Sequence, residues 1–314
     1  MFLSNLHEQI TIEGSQGGYL AINIESFLID RQTAGLSKHS LRFYRNHFNP
    51  FITYCNANSL TLIQQISSDY LRRYFLAYSE THTPGGVHGS FRTLRAFFHW
   101  LTNEEVMPAE WKNPMKKIRP PKVNIEPLEP ISIGDIKALI DTCRHGQFTG
   151  ERDQAIFLFL LDTGARAQEL CDINIEDADL NTGTVIIRCG KGGKTRTVFL
   201  GRKTRRALRS YLRSRPLHSS RTLFVSVSGE GLTYSGLRLL LDRRAKLAKL
   251  GTKPTLHDFR RAFALNMLRN GVDIFALQRL MGHSDLQVLR RYLAQNDQDS
   301  QLAHMRGGPV DSNL

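Results

Sequence analysis

Apolar residues recur at helical spacing through the first third of the chain. In SLRFYRNHF, Leu41, Tyr44 and Phe48 fall on one face, and Ser37 stands ahead of them as an N-cap. Pro50 is expected to kink or end that helix, because proline lacks the N–H and its ring crowds the preceding turn. FRTLRAFFHWL places Phe91, Leu94, Phe98 and Leu101 on one stripe, read as core, and Arg92 and Arg95 on another, open to a phosphate or to water. Helical patterns return at 131–144 and 151–164. The period then drops to two: TVIIRC and TRTVFL, rich in β-branched residues and joined by GKGGK, predict a hairpin. Helices follow over 202–214, 231–250, 255–270 and 274–281. The predicted class is mainly α with a small antiparallel β-sheet.

A chain of 314 residues is long for one core and reads as about two domains. NPMKKIRPPKVNIEPLEP, residues 113–130, holds five prolines, which forbid a regular helix and favour an extended connector. The expected division is a helical domain over 1–113, a proline-rich basic linker over 114–127, and a second domain with a C-terminal tail over 128–314. About 18 residues precede the first helical pattern.

Charge changes the picture. The net charge is +13, yet residues 1–113 carry nine basic and nine acidic side chains. Residues 188–253 carry 18 basic side chains against Glu230 and Asp242 alone. That imbalance predicts a cationic surface for a polyanion, most readily nucleic acid; the linker's Lys116 and Lys117 and the hairpin's Lys194 and Arg196 are candidate contacts beside Arg92 and Arg95. An anionic membrane fits less well, because the basic segment is not one amphipathic helix and no run reaches the ~18 apolar residues of a span. No secretory signal opens the chain, and Cys55, Cys143, Cys171 and Cys189 lack Cys-x-x-Cys spacing. A cytoplasmic protein without a structural zinc site is expected.

Five stretches carry side chains suited to phosphate chemistry. In LLDTGARAQELCDI, Arg166 follows a Thr-Gly turn and Glu169 lies one helical turn on. GKGGKTRTVFL puts Lys191 in a glycine-flanked tip; its glycine spacing and its place between strands exclude a Walker-type nucleotide loop. In PTLHDFRRAFA, Thr255 and Asp258 form a capping box, so His257 and Arg260 share one face at a helix start. LMGHSDLQVLRRYL supplies His283 and Tyr292. Gly282 can end the preceding helix in the left-handed conformation, and Ser284 with Gln287 can cap the next one. His283 then occupies a turn and Tyr292 the end of a short helix. Singly, each stretch has a structural explanation. Together they supply two guanidinium forks for nonbridging oxygens, a nucleophile and proton donors, which is what a transesterification at a phosphodiester requires.

The order Arg166, Lys191, His257-x-x-Arg260, His283, Tyr292 resembles the tyrosine recombinases, the phage-integrase and Xer-type family. TGARAQEL is similar to that family's first arginine box, GKGGKTRTVFL to its lysine hairpin, and LHDFRRAFA with LMGHSDLQVLRRYL to its second box. The first half, including LSKHSLRFYRNHFNPFITYC, is similar to its SAM-like, helical core-binding domain. The likeness runs from about residue 19 to 293. Gln168 and Arg261 stand where smaller or neutral residues are common, at positions without a proposed catalytic part.

The resemblance implies a two-domain clamp around double-stranded DNA, four protomers on two sites, and no cofactor or metal. It implies that Tyr292 attacks the scissile phosphate, leaving a 3′-phosphotyrosyl link and a 5′-hydroxyl on the way to a Holliday junction. It gives Arg166 and Arg260 the nonbridging oxygens, Lys191 the general-acid role, His257 assistance in proton transfer, His283 a hydrogen bond to phosphate, and Glu169 a supporting place. Arg290 and Arg291 either favour the Tyr292 phenolate or face DNA backbone or solvent. Leu302 and Met305 beyond it either pack on a neighbouring protomer or belong to a frayed tail. A type IB topoisomerase shares this chemistry but rejoins the original strand; a non-catalytic DNA-binding regulator is the alternative of another class.

Overall fold

The structure is a computed structural model and describes residues 18–122, 130–188, 195–217 and 220–282. The chain divides into two compact units, Met1–Glu126 and Pro127–Leu314.

In the first unit, α1 (Leu20–Thr33), α2 (Lys38–Ala57), α3 (Ser68–Thr81) and α4 (Pro84–Asn103) pack around an aromatic core. Phe27 sits at its centre, edge-on to Phe48, Phe97 and Trp100 at centroid distances of 5.8, 5.8 and 5.7 Å. Ser37 caps α2 as expected, its Oγ accepting from the Ser40 N–H at 3.1 Å. Pro50 does not end the helix, which runs on to Ala57. Phe48, Phe51 and Cys55 anchor both sides of the proline in the core, so burial offsets the one missing helical hydrogen bond.

The proline-rich stretch does not begin as a free connector. Pro114–Lys117 forms a 3₁₀ turn with Pro114 and Met115 buried against this core. The Asn113 amide donates to the Phe98 carbonyl at 2.8 Å, and the Ser68 hydroxyl donates to the Pro114 carbonyl at 2.8 Å. Residues 114–117 of the expected linker thus pack with the helices of the first unit.

The second unit is built on α6 (Phe148–Thr163). Its FLFLL run shows no polar face, and the helix is buried nearly all round. Around it lie α5 (Ile133–Asp141), α7 (Ala167–Asp172), α8 (Arg202–Ser214), α9 (Tyr234–Leu247), α10 (Leu256–Arg269) and α11 (Ile274–Met281). The predicted hairpin forms from β2 (Thr184–Ile187) and β3 (Arg196–Phe199), antiparallel with Ile187 opposite Arg196. A two-residue strand the sequence reading did not anticipate, β1 (Ala178–Asp179), completes the sheet against β2. Mainly α with a small antiparallel sheet is the observed class.

One core feature went unread. Asp153 is wholly buried, and its carboxylate accepts from Arg152 at 2.9 and 2.8 Å and from Arg244 Nε at 2.8 Å. The two guanidiniums, 3% and 8% exposed, reach on to the carbonyls of Val225 and Thr142 at 3.1 and 2.7 Å. The network ties α6 to α9 and to the end of α5.

Candidate functional site

The site starts at the end of α6. Gly164 closes that helix at φ 60°, ψ 21°, and a Cβ there would stand 2.3 Å from the Phe263 ring, so both conformation and space demand glycine. The chain then turns into α7 with Arg166 at its N-cap. Glu169 reaches back to the Arg166 N–H at 2.7 Å and holds the Arg166 guanidinium at 2.8 Å. The Arg166 side chain remains 29% exposed, against 6% for Glu169.

A second guanidinium grips the same carboxylate. Arg196 donates from Nη1 to Glu169 Oε1 at 2.8 Å and from Nη2 to Oε2 at 2.7 Å, a bidentate pair. Its Nε donates to the Leu280 carbonyl at 3.1 Å. Burial works against the Glu169 charge, but the Arg196 hydrogen bonds, the Arg166 N–H and the two positive charges outweigh it and hold the carboxyl at about 2. Arg196, a candidate DNA contact from the sequence, has a side chain 10% exposed and bound to Glu169 and the Leu280 carbonyl.

The α10 capping box forms as expected, with the Thr255 N–H and hydroxyl donating to Asp258 at 2.6 and 2.8 Å. It sets Arg260 one turn in, where its buried guanidinium donates to the Gly164 carbonyl and, at 2.8 Å, to the Met281 carbonyl. His257 stands at the exposed start of the helix. Protein mass packed around its ring, then the charges of Arg261 and Arg260, lower its pKa below the ordinary 6.5. The shift favours the neutral imidazole over its protonated form. Gly282 ends α11 in the left-handed conformation, φ 63° and ψ 43°, as expected, and a Cβ there would lie 2.8 Å from Arg196 Cδ.

Arg166, Glu169, Arg196 and Arg260 are thus linked through the turn at Gly164 and the end of α11. Lys191, Lys194, His283 and Tyr292 lie outside the described residues, as does the capping box at Ser284. Gln168 and Arg261 are engaged on their own helices, with Asp172 and Asp258 respectively, each at 2.8 Å. Among the described residues no group of histidines, cysteines and carboxylates could hold a metal ion.

Among the described residues of the cationic segment 188–253 most basic side chains are exposed, as its composition predicts, while several are also engaged within the chain. Besides Arg196, Arg244 is spent on Asp153, and Arg188 is paired with Asp177 at 2.5 Å. Arg205 and Arg209 cap the carbonyls of Asn181 and Leu180, each at 2.6 Å. In the first unit, exposed Arg92 and Arg95 line a groove of about 980 Å³ between α2 and α4, together with His39, Phe43, His99 and Lys116. Lys117 is exposed beside it.

The sequence pattern of the phage integrase family matches residues 131–299. The chain is 30% identical over 266 residues to tyrosine recombinase XerD of Listeria monocytogenes, spanning 82% of this chain and 88% of that protein. It is 28% identical to tyrosine recombinase XerC of Thermodesulfovibrio yellowstonii, over 82% and 86% of the two chains. Among solved structures it resembles XerA recombinase at 25% identity and a TM-score of 0.51, covering 90% of this chain and 97% of that one. The fold also matches the Tn1549 transposon integrase, solved with transposon right-end DNA, at a TM-score of 0.73, 17% identity, and coverage of 91% and 99%. With the ordered boxes of its second unit, this chain belongs to the phage integrase family, the tyrosine-type site-specific DNA recombinases.

Proposed function

We propose that this chain acts on double-stranded DNA with Tyr292 as its nucleophile and with the Arg166–Glu169 and Arg260 constellation holding the scissile phosphate. The observation that carries this reading is the convergence of two separate sequence boxes on the Gly164 turn: Glu169 orients Arg166 there, and Arg260 holds the Gly164 carbonyl. The phenolic oxygen of Tyr292 forms a bond to phosphorus, and the bond from phosphorus to the 5′-oxygen breaks. His257, its neutral form favoured, takes the phenolic proton. Lys191 delivers a proton to the departing 5′-oxygen, and His283 hydrogen-bonds the phosphate. Arg166 and Arg260 face the nonbridging oxygens, where negative charge accumulates. The phosphotyrosyl link retains the energy of the diester, so attack by a 5′-hydroxyl reverses the step without ATP or a metal.

The relatives support the rest of the proposal. The first unit, with Arg92, Arg95, Lys116 and Lys117, contacts the DNA backbone, as does Lys194 on the hairpin. Four protomers assemble on two sites in the cytoplasm, and strands are exchanged between duplexes, not rejoined in place. The domain limits proposed are those of the helical unit, the proline-rich linker and the catalytic unit.

Lys191→Ala tests the acid role. Cleavage of an ordinary 5′-oxygen substrate is expected to fall by about 10²–10⁴-fold, whereas a 5′-thiolate leaving group, which requires no proton, is spared. Equal loss on both substrates, measured as covalent adduct on a nicked duplex, excludes that role.

A further inference from the structure

Two guanidiniums share the single carboxylate of Glu169, and this arithmetic of charge has a consequence. Arg166 alone with Glu169 is a neutral pair, and a neutral pair offers a phosphate little. Arg196 supplies a second positive charge on the same carboxylate, bidentate and nearly buried. The cluster of three then carries a net charge of +1, and the exposed member that can present it is Arg166.

We propose that Arg196 is a positioning residue for the phosphate clamp: it neutralises Glu169, so that one carboxylate orients Arg166 without cancelling its charge. The inference rests on the reading of Arg166 as a clamp. Position supports it, because Arg196 opens β3 and shares the inward face of Val198 and Leu200, while Phe199 points out. It is also placed to feel the neighbouring turn, through its bond to the Leu280 carbonyl and its contact with Gly282. Lysine cannot reproduce this arrangement, since it lacks the planar fork that spans both carboxylate oxygens. The lowered pKa of Glu169 agrees, keeping its carboxylate charged at neutral pH.

The test is a double-mutant cycle on a nicked duplex that traps the covalent adduct. Arg196→Met is expected to slow cleavage by about 10²-fold, comparable to losing one preorganised electrostatic donor. Adding Glu169→Gln removes the carboxylate that now quenches Arg166, and the double variant is expected to recover tenfold or more over Arg196→Met alone. Arg196→Lys is expected to fall between wild type and Arg196→Met. On a duplex with a neutral methylphosphonate at the scissile position, Arg196→Met and wild type should cleave at more nearly similar rates, because the reacting group carries one negative charge fewer for Arg166 to compensate. Losses that multiply in the double variant, or an equal Arg196→Met deficit on phosphate and methylphosphonate, overturn the proposal. If wild type forms no adduct through Tyr292, the reading of the site fails, and this role fails with it. If the adduct forms normally and Arg196→Met is as fast as wild type, only the role of Arg196 is lost.

Discussion

Tyr292→Phe is expected to bind duplex DNA as the wild type does and to form no covalent protein–DNA adduct. Phenylalanine keeps the ring and removes one oxygen, so packing and the cationic surfaces are untouched while the nucleophile is gone. Removal of a nucleophile from a cooperating set costs on the order of 10⁶ in rate in well-studied hydrolases, which here means cleavage below detection. A tyrosine, with a pKa near 10, attacks only where cations favour its phenolate. The second unit supplies them at one place: Arg260 lies against the Gly164 carbonyl and Arg166 stands at the next N-cap. Incubation with a nicked duplex, followed by denaturing electrophoresis, reads the result. Identical behaviour of wild type and Tyr292→Phe would instead describe a DNA-binding regulator with an inert site.

Asp153→Ala is expected to be the most damaging single change to the second unit that leaves every proposed catalytic side chain in place. Asp153 has no exposure and pairs with two guanidiniums that are nearly buried. Alanine leaves both charges in the interior without a counter-ion, and breaking a buried pair in this way costs about 3–5 kcal/mol. For a unit of this size the thermal midpoint should drop by roughly 6–20 °C. Adding Arg152→Met and Arg244→Met should restore much of the loss, since an apolar replacement of the whole network creates no stranded charge. A midpoint unchanged by Asp153→Ala would show the network to be dispensable.

Local signals were legible wherever one short segment determines its own structure. The Ser37 cap, the Thr255–Asp258 box, the left-handed Gly282 and the β2–β3 hairpin all depend on neighbours within a few residues, and all are present. Pro50 misled because the penalty is local while the compensation, burial of Phe48, Phe51 and Cys55, is tertiary. Strand β1 spans two residues, too short to show a period. In the charged segment, composition counts cations but cannot see their partners: Arg244 is buried on Asp153, 91 positions away, while most of the others described are exposed. Arg196 could have been read. The alternation Arg196, Val198, Leu200 puts the arginine on the buried face of its strand, and a buried arginine requires acceptors within the fold.

The described part of the candidate site was legible for another reason. Arg166 stands at the α7 N-cap and Arg260 just past the α10 capping box, each a structural punctuation mark. Local sequence specifies those marks strongly, so Arg166, Glu169 and Arg260 fall where the fold brings the ends of α6, α10 and α11 together.

The most direct measurement is to digest the adduct trapped on a nicked duplex and identify the modified residue by mass spectrometry. The account predicts one nucleotide-bearing peptide, the one containing Tyr292, with the nucleotide joined through its 3′-phosphate to the phenolic oxygen. A phosphoryl bond to any other side chain, or a 5′-phosphate linkage, would contradict it.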